Sequence, residues 1–561
     1  MTNTERMAEL LFPQITGTPA DVEARYPARQ LPEGAKVTRL APSPTGYVHI
    51  GGVYQAMIDE RLAHQSGGVF YLRIEDTDAR REVSGAAEAL LRTLEAYGIR
   101  PDEGMTLDGD GKPVNRGAYG PYKQSERAEI YQTFAKQLVK EGKAYPVFTS
   151  PEELEKVLAA DKKTENKTKD WEAAAEEARR EMLENRKITP EQAEEALQAG
   201  HSFVLRILAD GDGEQKQKVT DLIKGDLELP VNDEDFVLLK SDGIPTYHFA
   251  HAVDDHLMGT THVVRGEEWL PSLPKHLQLF RYLGFRAPKY LHTAQVLRME
   301  ENGAKKKLSK RDLGAGMADY AALGYPPEGV IEYLLTLLNS NYEEWRTANP
   351  DAPYTDFPFS IKKMSGSGCL VDFDKLGDIS RNVVARMSAE QVYAKVQAWA
   401  EAYDAPFAEA LGADPARSTA IFAIGRGGKK PRKDFGNWKE AKDFVQFFFP
   451  AYFAIEESLT EYAPADVSAV LERFLAVYDP SDDADVWFEK VKAIATELGY
   501  CTDRKAYKAN PEAYKGSVAD VSNFLRVALT GRRNSPDLHA VMQVLGKEET
   551  VRRLNAYREN L

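Results

Sequence analysis

Two short stretches hold side chains suited to phosphate chemistry. The first is Pro42-Ser43-Pro44-Thr45-Gly46-Tyr47-Val48-His49-Ile50-Gly51-Gly52. Its small residues let a nucleotide approach the backbone, and the N-terminus of a following helix favours phosphate. His49 could donate a hydrogen bond to a phosphate oxygen. The second is Lys307-Leu308-Ser309-Lys310-Arg311, preceded by Lys305 and Lys306. Ammonium groups there could neutralise charge building on a pyrophosphate leaving group. Either stretch alone is unremarkable, since a lone loop histidine is usually structural and a lysine run is usually a solvated face. One early and one some 260 residues later make a far more specific pair.

The elements around them fit that use. Lys36–Leu40 reads as a short strand, Ala41–Gly46 as a loop and about Gly52 to Gln65 as a helix ended by Gly67-Gly68. Val69–Ile74 reads as a second strand before an acidic turn, Glu75-Asp76-Thr77-Asp78. Strand, loop, helix, strand opens a doubly wound α/β domain. Residues 1–35 read as a polar lead-in with a helix and an extended arm. Residues 151–200, dominated by Glu, Lys and Ala, predict a long charged surface helix or helical pair. Strand patterns return at Ser202–Leu208, Asp235–Leu239 and His262–Arg265, and helical periodicity takes over from about residue 316.

Composition bounds the rest. A chain of 561 residues predicts three or four domains, and 43% hydrophobic with 28% charged residues is ordinary for a soluble protein. No long uncharged apolar run or secretory signal is present, so no membrane span is expected. Two cysteines, Cys369 and Cys501, exclude a disulfide framework and a four-cysteine zinc site, and suit a reducing cytoplasm. The net charge of −15 does not exclude a nucleic-acid partner, because phosphate binding depends on local patches. Such patches occur at Lys305–Lys307, at Arg426, Lys429, Lys430, Arg432 and Lys433, and at Arg532-Arg533.

The paired stretches resemble the two nucleotide-binding motifs of class I aminoacyl-tRNA synthetases, and their surroundings resemble the glutamyl-tRNA synthetase family. Thr38-Arg39-Leu40-Ala41-Pro42-Ser43-Pro44-Thr45-Gly46 is similar to its opening strand and loop, and Arg73-Ile74-Glu75-Asp76-Thr77-Asp78 to its second strand. Gly120–Arg127, SDGIPTYHFAHAVDDHLMG (241–259), VVRGEEW (263–269) and LRVALTGRRNSPDL (525–538) follow in family order. The likeness runs from about residue 36 to 555.

The resemblance implies an α/β fold: a Rossmann-type parallel sheet with an inserted acceptor-stem domain, then an α-helical anticodon-binding region. The expected divisions are an N-terminal extension (1–35), two halves of the catalytic domain (36–115 and 241–300) and an acceptor-end insertion (116–240). A KMSKS-like loop with a stem-contact region (301–385) and an anticodon domain (386–561) follow. The implied reaction joins L-glutamate to ATP, giving an adenylate and pyrophosphate, then moves glutamate to the terminal ribose of tRNA(Glu). In this family activation generally waits for tRNA. Glutamate brings two carboxylates and an ammonium, so its pocket needs cations and one anion. By similarity Arg39, with Tyr247 and Ser43, takes the side-chain carboxylate, Glu75 the ammonium and Arg265 the other carboxylate. His251 stands where many members carry asparagine. His49, Lys307 and Lys310 are the implied catalytic residues, with Gly51, Gly52 and Ser309 also on ATP. Magnesium is expected on the phosphates, held by substrate oxygens and water. No zinc is expected, because Tyr145–Ser150 has no cysteine where some relatives carry a zinc cluster. A cytoplasmic monomer is the expected form.

Other readings share parts of this pattern. A glutaminyl-tRNA synthetase typically has other residues at Ser43, Thr45 and Glu75, and a truncated paralogue lacks the helical rear half. A non-catalytic RNA-binding relative need not keep Arg39, His49, Glu75 and Lys310 together. A small-molecule nucleotidylyltransferase needs no such helical half. Whether tRNA(Gln) is also charged stays open in the sequence.

Overall fold

In the computed structural model the described residues are 1–44, 46, 48–78, 83–150, 182–300, 302–309, 312–366, 368–428 and 431–561. The chain divides into two units, residues 1–317 with 334–371 and residues 318–333 with 372–561.

In the first unit, β1 (Val37–Leu40) is buried along its whole length, as a parallel strand covered on both faces should be. It pairs in parallel with β2 (Val69–Leu72), Arg39 standing opposite Tyr71. The crossover between them is the helix Ile50–His64, which is buried on most sides. Gly68 lets the two strands meet, because a Cβ there would lie 1.9 Å from the Lys36 carbonyl oxygen. β3 (Glu103–Leu107) continues the sheet in parallel, and β4 (Pro113–Arg116) closes it antiparallel. β5 (Ala144–Thr149), β6 (Ser202–Ile207) and β9 (Val237–Leu239) form an antiparallel sheet, while β7 (Lys216–Asp221) and β8 (Gly225–Pro230) form a separate hairpin. The chain then returns to the parallel layer. β10 (His262–Gly266) pairs with β11 (Lys289–Thr293), and Thr261 donates its N–H to the Val37 carbonyl at 3.0 Å. β12 (Val296–Met299) lies between β13 (Lys305–Lys307) and β14 (Cys369–Leu370).

The five strand expectations each hold a strand; four are trimmed by one or two residues, and that at His262–Arg265 runs one residue further, to Gly266. β3, β4, β5, the hairpin β7–β8 and β11 to β14 were not anticipated. The hairpin is polar and largely exposed, so it lacks the apolar alternation that marks a half-buried strand. The helix expected from Gly52 starts at Ile50 instead, because His49 caps it. Of the charged stretch 151–200, residues 151–181 lie outside the described residues. Its remainder holds the helix Pro190–Gln198, begun by a Thr189–Gln192 capping box.

Residues 1–35 are more than a lead-in. They form helices Asn3–Leu11 and Pro19–Glu23, each opened by a capping box. Met7, Ala8, Leu11, Phe12, Ile15 and Val22 enter one core with Ile130, Phe134 and Leu138 from the helix Ala128–Lys140, and with Phe249 and Phe280. The buried Lys136 ammonium donates to the carbonyls of Phe12 (3.1 Å) and Ile15 (2.7 Å) and to Glu9 (2.6 Å).

The second unit is α-helical, as expected. Helices that include Ala389–Tyr403, Pro464–Val477, Ala484–Glu497 and Val518–Thr530 enclose a core with Val396, Phe407, Trp438, Phe448, Phe474 and Phe524. Two of its basic patches are partly neutralised within the fold. Arg532 pairs with Glu456 (2.6 Å), Arg533 with Glu461 (2.5 Å) and Arg432 with Asp434 (2.7 Å). Lys429 and Lys430 lie outside the described residues. No described helix is long and apolar enough to cross a membrane.

Because Leu11 sits in the core shared with the helix Ala128–Lys140, Leu11→Ala is expected to cost roughly 2–5 kcal/mol. Chemical unfolding followed by near-UV circular dichroism measures this. A cost below about 0.5 kcal/mol, the size of an ordinary surface change, would show the N-terminal helices to be dispensable.

Candidate active site

The phosphate end of the site is built on a helix start. His49 has extended backbone (φ −80°, ψ 145°), and its Nδ1 accepts the Gly51 N–H at 2.9 Å. That fixes the tautomer: the ring proton sits on Nε2, which becomes the donor. Gly51 gives this fold-back room, since a Cβ there would lie a tight 3.1 Å from Nδ1, whereas a Cβ on Gly52 would meet open space. The loop is tied down by Ile50, which donates its N–H to the Ala315 carbonyl at 2.8 Å, and by Met317, which donates to that of Val48 at 3.0 Å. His49, Gly51, Gly52, Gln55, Gly266, Glu268, Lys307, Leu308 and Ser309 line a cavity of about 520 Å³. Lys307 is exposed, with Nζ 3.7 Å from Glu268. Ser309 donates its N–H to Asp312 at 2.7 Å. Lys310 lies outside the described residues.

A cluster of charged groups lies close by, where the buried Arg265 precedes the cavity-lining Gly266. Burial raises the Tyr247 hydroxyl pKa, and the charges of Arg265, Glu75 and Arg39 all act on it. Arg265 is bonded to His276, whose ring lies 5.7 Å from that of Tyr247. Glu75 is buried and takes a bond from Arg73 Nη2 at 3.0 Å. Burial pushes its pKa up to about 6, against the pull of Arg73 and Arg39. Arg265 is 3% exposed; its Nη2 completes no well-formed hydrogen bond to a described residue, and the neutral Tyr247 hydroxyl is the polar group within its reach. Tyr247 packs on Trp269 with ring centroids 4.5 Å apart and stacks over His251. Ser43 is exposed on the loop, between Pro42, whose carbonyl accepts the Glu75 N–H, and Pro44, whose carbonyl accepts the Val83 N–H.

Beneath the pocket lie groups the sequence did not single out. Asp255 Oδ1 accepts from Arg73 Nη1 at 2.8 Å, its Oδ2 accepts from Arg39 Nε at 3.3 Å, and His251 Nδ1 lies 2.8 Å from Oδ2. Despite burial, these partners hold its carboxyl well below the usual carboxylate range. Asp254 accepts from Arg127 Nε (2.8 Å), Gln124 Nε2 (2.9 Å) and the Tyr131 hydroxyl (2.8 Å). His251 keeps a neutral ring, its pKa lowered to about 4 mainly by burial, and its Nε2 accepts from the Tyr290 hydroxyl at 3.1 Å. It braces Asp255 behind the pocket. The available signal for these acids was an Asp254-Asp255 pair inside the apolar helix Tyr247–Leu257, since such a pair is buried only when paired with cations. Among the described residues no three His, Cys, Asp or Glu side chains converge to hold a metal.

The family model "tRNA synthetases class I (E and Q), catalytic domain" matches residues 36–348, and an anticodon binding domain model matches residues 432–558. The chain is 47% identical to the glutamate–tRNA ligase of Acetivibrio thermocellus over 98% of its own length and 99% of the relative. It is 46% identical to that of Clostridium perfringens strain 13 over 98% and 100%. A crystal structure of a glutamate tRNA ligase from Elizabethkingia meningosepticum in complex with its amino acid superposes with a TM-score of 0.71 at 28% identity. It covers 94% of this chain and 99% of that one.

Asp255→Asn keeps the side-chain shape but leaves two buried guanidiniums without their shared anion. It is expected to destabilise the first unit by roughly 3–5 kcal/mol, as breaking a buried ion pair does. Urea unfolding monitored by tryptophan fluorescence measures the shift, and a loss below about 1 kcal/mol, typical of a surface pair, would remove Asp255 as the organising charge.

Proposed function

This chain belongs to the class I tRNA synthetases for glutamate and glutamine, and on that premise we propose a role for each residue around its pocket. The protein is an ATP-dependent ligase that activates L-glutamate and charges it onto tRNA(Glu). Glutamate's α-carboxylate attacks the α-phosphate of ATP, and pyrophosphate leaves. The terminal ribose hydroxyl of the tRNA then attacks the adenylate.

The observation that carries the assignment of roles is one connected cluster: Arg73 bridges Glu75 and Asp255, Asp255 takes Arg39, and Arg265 is bonded to His276, whose ring lies 5.7 Å from that of Tyr247. Two cations and one anion in a desolvated pocket complement an amino acid with two carboxylates and one ammonium. Arg39, with Tyr247 and Ser43, receives the side-chain carboxylate, which a neutral glutamine amide cannot match in charge. Glu75 receives the ammonium, and the Nη2 of Arg265, which completes no well-formed hydrogen bond to a described residue, supports its assignment to the α-carboxylate.

For ATP, His49 donates from Nε2 to a phosphate oxygen. Gly51 and Gly52 leave room for the nucleotide, and Ser309 and Lys310 close over it. Lys307 and Lys310 offset the charge that grows on the departing pyrophosphate, so catalysis rests on positioning and electrostatics. Magnesium arrives with ATP, held by phosphate oxygens and water. The insertion 116–240 serves the acceptor end, 301–385 the stem and 386–561 the anticodon. Two buried cysteines without a disulfide suit a reducing cytoplasm, and a monomer is the proposed form.

ATP–pyrophosphate exchange with glutamate or glutamine, with and without tRNA(Glu) and tRNA(Gln), tests the reading. Glutamate-specific exchange that needs tRNA is expected, and no glutamate-dependent exchange under any condition would overturn it. Glu75 must be ionised to hold an ammonium, so kcat/KM for glutamate is expected to fall as pH drops through about 6. Glu75→Gln should flatten that limb and raise the glutamate KM roughly 10- to 100-fold, as loss of a buried charged partner does. An unchanged acid limb in this variant would detach Glu75 from the ammonium.

A further inference from the structure

Arg265 is held differently from the other buried arginines of this unit. Arg39, Arg73 and Arg127 each touch an aspartate, and Arg61 pairs with Glu60. Arg265 instead donates from Nε to His292 Nε2 at 2.9 Å and from Nη1 to His276 Nδ1 at 2.9 Å. Its guanidinium also lies 4.8 Å from the centre of the Tyr290 ring. A guanidinium can only donate, so each of those imidazole nitrogens must present a lone pair, and both rings must be neutral.

The tautomers follow and are enforced from behind. With Nε2 accepting, His292 carries its proton on Nδ1 and donates it to Asp221 Oδ2 at 2.7 Å. Asp221 is buried, and its Oδ1 accepts the backbone N–H groups of Ile223 (2.9 Å) and Lys224 (2.8 Å). His276, accepting at Nδ1, donates from Nε2 to His248 Nδ1 at 2.9 Å. The parallel register places Arg265 directly opposite His292. Burial disfavours the imidazolium in both rings. An aspartate in either place would orient Arg265 equally well but would neutralise it. Two neutral acceptors fix two edges of the guanidinium and leave its full positive charge for a ligand at Nη2.

We infer that His276 and His292 are positioning residues that hold Arg265 in register for the amino acid's α-carboxylate, with Asp221 and His248 setting their tautomers. This rests on the assignment of Arg265 to that carboxylate.

The test compares His276→Leu and His292→Leu with His276→Asn and His292→Gln, whose amides can place an oxygen near the lost Nδ1 or Nε2. The readout is tRNA-dependent ATP–pyrophosphate exchange by the full-length enzyme, with Arg265→Lys alongside. Each leucine variant is expected to raise the glutamate KM about tenfold or more while the ATP KM stays within about twofold, with most of the loss restored by Asn or Gln. A glutamate KM within about twofold of wild type in both leucine variants, with Arg265→Lys impaired, would overturn the clamp but leave the site reading standing. An unimpaired Arg265→Lys would overturn both. A loss that Asn and Gln do not restore, or an ATP KM that rises in step, would reduce the histidines to packing and overturn the proposal. If the leucine variants fail to fold, nitrogen-15 spectra of the histidine-labelled wild-type enzyme at neutral pH decide it. Neutral rings protonated on Nδ1 at His292 and on Nε2 at His276 are expected, and an imidazolium at either refutes the clamp.

Discussion

Burying Arg39 and Arg73 under one pocket requires an anion between them, and Asp255 supplies it. One carboxylate oxygen takes Arg73 and the other takes Arg39 and lies beside His251, all within 3.3 Å. Without that charge the desolvation of two guanidiniums would be uncompensated, and the strands carrying them could not meet in the sheet. Asp254 does the same for Arg127 on the neighbouring side. The floor is therefore a lattice of arginines and aspartates, and Glu75 stands at its upper edge, bonded to Arg73. Its raised pKa reflects a carboxylate that the lattice has only partly compensated.

A single helix supplies most of this. Tyr247, His251 and Asp255 fall four residues apart along Tyr247–Leu257, so they share one face. Tyr247 points that face at the pocket, His251 supports it by stacking, and Asp255 anchors the base. The face opposite belongs to the apolar core, where Phe249, Ala252 and Val253 pack. The same core takes in the N-terminal helices, so residues far from the chemistry help fix the helix that carries it.

The two ends of the site use charge in opposite ways. Around Arg39 and Arg73 the cations are compensated by protein carboxylates and serve structure first. Around Arg265 the partners are neutral imidazoles, and the charge remains available. At the phosphate end, His49 acts through one fixed Nε2 proton and through the helix it caps. In each case a second partner decides what the first can do.

The sequence by itself determined the α/β opening, the helical rear half and the small-residue loop ending at His49, because covalent spacing and local propensity specify these. Family motifs also fixed Arg39, Glu75, Tyr247 and Arg265 as candidates for one pocket. The exposed hairpin β7–β8 was not legible, since it carries little apolar periodicity, yet it ends in the Asp221 that sets the tautomer of His292. The N-terminal helices read as polar because only one face of each is apolar. Their burial depends on a partner more than 100 residues away in the chain. Only the tertiary structure decided which arginines are neutralised and which is not. That choice depends on distances between side chains from separate strands and helices, and on which imidazole nitrogen carries a proton. Neither is encoded in the identity of any one residue.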